Sequence, residues 1–152
     1  MASTITASQF SVQIIETLTL DGVKRGSKVT STESSISEVA RRTMQVTHGS
    51  GGTSIMKFAA TPAIGTFDSD TFKYLRITNL DASDSLILQL KETDNTHNTE
   101  ILVGPKKSFI LNSLAIDNQA DIDNYSADII DEIIGKSTGS AVVEIEFIVV
   151  NT

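Results

Sequence analysis

The chain contains no cysteine and no tryptophan, only two prolines and two tyrosines, and no apolar run long enough to span a bilayer. The missing cysteine excludes disulfide staples and thiolate-ligated metal centres outright. Aromatics make up 5% of the residues, which leaves little material for a platform that stacks on sugars or bases. Cations are scarce too: 12 Lys and Arg stand against 19 Asp and Glu, giving a net charge of −7 and a pI near 4.7. Nonspecific affinity for nucleic acid needs clustered cations to neutralise phosphates, so nucleic acid is not an expected partner, and neither is a membrane. The opening residues Met1-Ala2-Ser3-Thr4-Ile5-Thr6-Ala7-Ser8 lack the basic start and apolar stretch of a signal peptide, so a soluble protein made in the cytoplasm is expected.

What is present describes one core. The 152 residues suit a single domain spanning 1–152, and 39% apolar residues with a mean hydropathy of +0.02 suffice to bury it. Ser and Thr are abundant, a mixture typical of sheets with hydroxyl-rich solvent faces. Periodicity says the same. From Lys73 to Asn112, Leu75 and Ile77 alternate with Tyr74, Arg76 and Thr78, and Leu86, Leu88 and Leu90 alternate with Ile87, Gln89 and Lys91. Asn79 to Asp84 reads as the turn between them, and strands over Glu100–Val103 and Ser108–Leu111, separated at Gly104-Pro105, complete a four-strand meander.

Upstream, Phe10 to Leu20 gives the strongest strand pattern, with Phe10, Val12, Ile14, Leu18 and Leu20 on one face and Glu16 interrupting it. Asp21-Gly22 predicts a tight hairpin, because both positions tolerate positive φ. The returning limb, Val23 to Glu33, is polar, and its basic start makes Val23, Lys24, Arg25 and Lys28 candidate partner-contact residues; the plainer reading is an edge whose lysines discourage strand addition. A polar arm over residues 1–9 precedes this hairpin. Ser35 with Glu38 resembles a capping box before a single helical turn, followed by a strand over Arg41–Thr47. Thr53–Ala60 reads as a strand and Thr61–Thr71 as a long turn. Residues 112–126 read as an acidic surface loop, and Ser126–Gly135 has helical spacing but β-branched composition, which favours a strand over Asp131–Ser137. Ala141–Asn151 is the closing strand, with Val143, Ile145, Phe147 and Val149 inward.

No chemistry assembles from these residues. There is no Gly-x-Ser-x-Gly elbow, and His48 and His97 lie in polar loops without further spaced ligands, too few for a zinc centre. Asp117, Asp121 and Asp123 do not fit the calcium-loop pattern. Glu144 and Glu146 share a strand face as glycosidase carboxylates can, but a wet terminal strand produces the same spacing. A non-enzyme with no metal or cofactor is expected. The expected fold is an all-β antiparallel β-sandwich, jelly-roll-like, of about eight strands with a projecting N-terminal hairpin.

The strand Tyr74-Leu75-Arg76-Ile77-Thr78-Asn79-Leu80-Asp81, the alternating leucines after it, Lys107-Ser108-Phe109-Ile110-Leu111, Val142–Val150, Glu16–Gly22 and Gly65-Thr66-Phe67-Asp68 together resemble small virion structural proteins of tailed bacteriophages. The acidic segment 112–126 is longer than that pattern. The resemblance implies a β-sandwich built into the virion, with decoration or cementing of the outer head surface as the expected role. It also implies the major capsid protein as partner and self-association, as a trimer or other oligomer. A tail or neck component and a carbohydrate-binding module using Tyr74 or Tyr125 are the alternatives.

Overall fold

The computed structural model describes residues 8–92, 98–116 and 128–152. These form fourteen strands and no helix, so the protein is all-β. The chain divides into two compact units, one running through Glu38 and including Thr152, the other Val39–Asn151.

The first unit is a ribbon. β1 (Ser8–Ile15) pairs antiparallel with β4 (Lys28–Ile36), and β2 (Leu18–Leu20) pairs with β3 (Val23–Arg25). The single strand expected from Phe10 to Leu20 is therefore broken. At the break, the Glu16 amide donates to the Ser27 carbonyl at 2.8 Å and the Ser27 hydroxyl to the Glu16 carboxylate at 2.6 Å. Gly26 lies so close to the Glu16 carbonyl that a Cβ would sit 2.1 Å from its oxygen, so the crossing here tolerates no side chain. The Asp21-Gly22 turn forms as expected, with φ of 50° and 77°, the left-handed pair whose twist matches a two-residue hairpin. Ser35 adopts φ 62° at the end of β4, and strand follows it rather than the helical turn its spacing with Glu38 suggested. A cap needs an extended Ncap residue ahead of helical ones, and neither is present.

The second unit is a β-sandwich. One sheet runs β10 (Asn98–Val103), β9 (Leu86–Glu92), β13 (Asp128–Ser137), β6 (Thr53–Ala59), β7 (Thr66–Asp68), with β12 (Ala115–Ile116) added on β13. The other runs β11 (Ser108–Leu111), β8 (Phe72–Asn79), β14 (Val143–Asn151), β5 (Glu38–Val46). Eight of these ten strands are four residues or longer, in line with the expected count. Between the sheets lies one core, in which Leu75, Ile77, Leu86, Leu88, Ile130, Ile133, Val143 and Ile145 are fully buried. Phe58 packs edge-on to Phe72 with centroids 5.5 Å apart, and Phe67 edge-on to Phe147 at 6.5 Å, the geometry aromatic quadrupoles favour.

The meander expected over Lys73–Asn112 does not form. β8 and β11 pair with each other in one sheet, while β9 and β10 form a hairpin in the other. The alternation was right about which side chains point inward and silent about the sheet, since strands on opposite sides of one core bury the same parity of residues. The turn between β8 and β9 is therefore a crossing from sheet to sheet, and Asn79 anchors it. Its amide donates to the carbonyls of Asp84 (2.9 Å), Val103 and Gly104 (3.2 Å each), and its oxygen accepts the Asp81 amide (2.9 Å). Asp81 then accepts the amides of Ser83 and Asp84, both at 2.8 Å, closing an Asx-type turn.

Three further boundaries differ. The long turn expected over Thr61–Thr71 contains β7, which joins β6 in a parallel ladder. β13 begins at Asp128, three residues before the expected strand, and its register shifts let both Ile130 and Ile133 reach the core. Within the expected acidic loop, Leu114 is buried and β12 pairs with β13; residues 117–126, including Asp117, Asp121 and Asp123, lie outside the described residues, as do 1–7 of the expected arm and His97.

Candidate functional site

The candidate contact residues fall towards the turn end of the ribbon and on both of its faces. Leu20 pairs with Val23 and Leu18 with Arg25, so these four share one face; Lys24 pairs with Thr19 on the other, and Lys28 pairs with Ile15 at the end of the β1–β4 ladder next to the turn. Leu18, Leu20 and Val23 are each more than half exposed. A strand pattern this regular ordinarily buries one face, and here the apolar face is left in solvent. Leu18 and Leu20 thus belong with Val23 in the contact surface. The sequence signal was present, an apolar alternation returning through a turn onto a hydrophilic limb that supplies no core.

Tyr74, one of the two candidate stacking residues, is 8% exposed and faces away from Leu75, opposite Val150. Its ring offers no open face to a sugar, and burial pushes its hydroxyl pKa up against the lowering effect of Arg76. Tyr125 lies outside the described residues.

Two ion clusters cross the outer faces of the sandwich. Glu146 on β14 accepts from Arg41 on β5, at 2.8 Å from Nε and 2.5 Å from Nη2, and from Arg76 on β8 at 2.7 Å. Hydrogen bonding and charge from Arg41, then from Arg76, hold its carboxyl below the usual range. Glu144 stands exposed beside it, so the paired carboxylates differ: one is neutralised by two guanidinium groups, the other is solvated. On the other sheet, Glu132 lies 3.7 Å from Lys57 and 3.3 Å from Lys91 and accepts the Ser54 hydroxyl at 2.7 Å. Burial pushes its carboxyl up, but Ser54 and the two lysines outweigh it and leave the pKa lowered.

The Glu146 cluster predicts an acid limb of stability. A carboxyl whose folded pKa lies below its unfolded value stabilises the fold above the unfolded pKa, about 4.3 for glutamate, and loses that contribution as pH falls through the folded value. Arg41 is 70% exposed, so its share is screened and the whole cluster contributes about 1 kcal/mol. In urea titrations, Glu146→Gln is expected to be less stable than the native chain at pH 7, with the gap closing below about pH 4. A gap unchanged with pH would remove the carboxylate as its source.

Beside the second cluster a groove of about 280 Å³ opens on the outer face of the larger sheet, lined by Gly51, Gly52, Ile87, Glu100, Ile134 and Lys136 among others. Gly52, at φ 68°, forms part of its wall: a Cβ there would meet the Gly135 carbonyl at 2.7 Å. Its lining comes from four separated stretches of chain, and no local pattern announces it. No cluster of three or more acidic or histidine side chains placed to hold a metal occurs among the described residues.

No family model, curated protein or solved structure matches the chain. Function must therefore be argued from the ribbon and the sandwich themselves.

Proposed function

We propose that the protein is a non-enzymatic structural component of a tailed-bacteriophage virion, a decoration or cement protein bound to the outer surface of the head. The observation that carries the docking half of this reading is the ribbon tip. Leu18, Leu20 and Val23 form an exposed apolar strip bordered by Arg25, with Lys24 behind it and Lys28 below. Within 18–28 these three cations face only Asp21, although the chain as a whole carries −7. An apolar strip rimmed by one sign of charge is how interfaces combine desolvation with steering. The partner it fits is a protein surface with an apolar patch and acidic rim, here the major capsid protein.

The decisive measurement is copy number in virions of the phage that encodes the chain. Cryo-microscopy is expected to find it on the head in numbers comparable with the shell protein; a few copies at the neck or tail would transfer the assignment to that structure. The tip itself is tested by charge reversal. Lys24→Glu with Arg25→Glu is expected to weaken binding to undecorated heads at least tenfold, about 1.4 kcal/mol or more, while leaving stability within about 0.5 kcal/mol because both side chains are exposed. Unchanged binding would exclude the tip as the docking element.

A further inference from the structure

Of the aspartates in the sequence, only Asp21 is followed by glycine. Glycine has no Cβ to shield its amide nitrogen, and at Gly22 even an added Cβ would meet nothing within 4 Å. Both residues are exposed, at φ 50° and 77°. Among the described residues, no group hydrogen-bonds the Asp21 carboxylate or the Gly22 amide. Other aspartates are held in place: Asp81 accepts from the amides of Ser83 and Asp84 and from the Ser83 hydroxyl, and Asp68 accepts the Asp70 amide at 2.9 Å. The strands that close the turn are short. β2 and β3 have three residues each, all exposed, and so isolated a ladder opens locally at little cost.

We infer that Asp21-Gly22 is a site of spontaneous backbone isomerisation, where the chain passes through a succinimide to an isoaspartate and the ribbon tip loses its register with age. The Gly22 amide nitrogen attacks Cγ of Asp21. A bond from nitrogen to Cγ forms, and one carboxyl oxygen leaves as water, taking the amide proton and a proton from solvent. The product is a five-membered imide. Water then adds to either imide carbonyl. Addition at Cγ breaks the new bond and regenerates aspartate; addition at the main-chain carbonyl breaks the original peptide bond, so the chain now runs through Cβ and Cγ. One water leaves and one returns, and nothing is oxidised or reduced. The isoaspartate has one more methylene in its backbone than aspartate. The two-residue turn relies on a left-handed pair at Asp21 and Gly22 to set Leu20 against Val23, and the longer backbone removes that geometry. The face shared by Leu18, Leu20, Val23 and Arg25 goes with it. The chemistry follows from the turn alone and does not rest on the virion assignment.

The full chain tests this when it is stored warm at neutral pH in heavy-oxygen water and then digested with trypsin. The peptide ending at Lys24 is expected to gain one heavy oxygen, to split into two chromatographic peaks, and to become a methyl acceptor for an isoaspartyl methyltransferase. Asp21→Glu, which would have to close a six-membered ring, is expected to lose all three signals. Gly22→Asn keeps a residue that tolerates positive φ but shields the nitrogen, and is expected to react several-fold more slowly. In the separated isoaspartyl form, the nuclear Overhauser contacts between Leu20 and Val23 are expected to vanish while those between Val12 and Ser31 persist. Uptake at the other described aspartates equal to that at Asp21 would overturn the inference. So would a chain that takes up no heavy oxygen at Asp21 while a synthetic peptide of residues 18–25 does, because the folded turn would then protect itself. Retention of the Leu20–Val23 contacts in the isoaspartyl form would overturn the loss of register.

Discussion

Asn79→Ala is expected to destabilise the protein by about 3 kcal/mol, measured by urea unfolding, and to lower the melting temperature by roughly 6–12 °C for a domain of this size. Asn79 is fully buried and makes four hydrogen bonds where the chain crosses from one sheet to the other. Truncation leaves three carbonyls and one amide to find other partners in a turn that also holds the bonds from Asn79 N to Lys107 O and from Leu80 N to Glu144 O. Each buried group left unsatisfied costs about 1–3 kcal/mol, and partial access of water to Asp84 and Gly104 keeps the sum at the lower end. Asn79→Asp sharpens the test. At pH 7 its carboxylate would face three carbonyl oxygens and is expected to destabilise more than alanine does. Protonation at low pH restores a donor, so the aspartate variant should recover relative to alanine as pH falls. A loss below about 0.5 kcal/mol for alanine would show that the crossing is held by backbone packing alone.

The second large effect separates neighbouring isoleucines. Ile133→Ala is expected to cost about 3 kcal/mol, within the range for a buried aliphatic truncation, whereas Ile129→Ala should stay within about 0.5 kcal/mol. Ile130 and Ile133 are fully buried, Ile134 is half-buried, and Ile129 is 45% exposed. A helix over this segment would have set all four on one face and made them comparably sensitive. The contrast between Ile133 and Ile129 is thus a direct reading of β13 as a strand with shifted register, and equal losses at both positions would contradict it.

Which parts of this were legible follows from the range over which each signal acts. Alternation in β8, β9 and β14 named Leu75, Ile77, Leu86, Leu88, Ile145, Phe147 and Val149 as core, and the core contains them. It failed at β13, where two register shifts break the period, and at the ribbon, where a regular pattern does not lead to burial. The Asp21-Gly22 turn was readable because its left-handed dihedrals are a property of two adjacent residues. The Glu146 and Glu132 clusters were not, since each gathers side chains from three strands separated by up to 105 positions.

By itself, then, the sequence determined the strand class, the inward-facing residues of the central strands, and the tight turn of the ribbon. All three depend on interactions within a few residues, where the two-residue side-chain period and local φ preferences act. Only the tertiary structure decided which sheet each strand joins, that β8 and β11 close one while β9 and β10 belong to the other, and that Leu18, Leu20 and Val23 at the ribbon tip are exposed. Sheet membership is set by long-range backbone pairing and by how loops close around a shared core, and strands on either side of that core carry the same alternation.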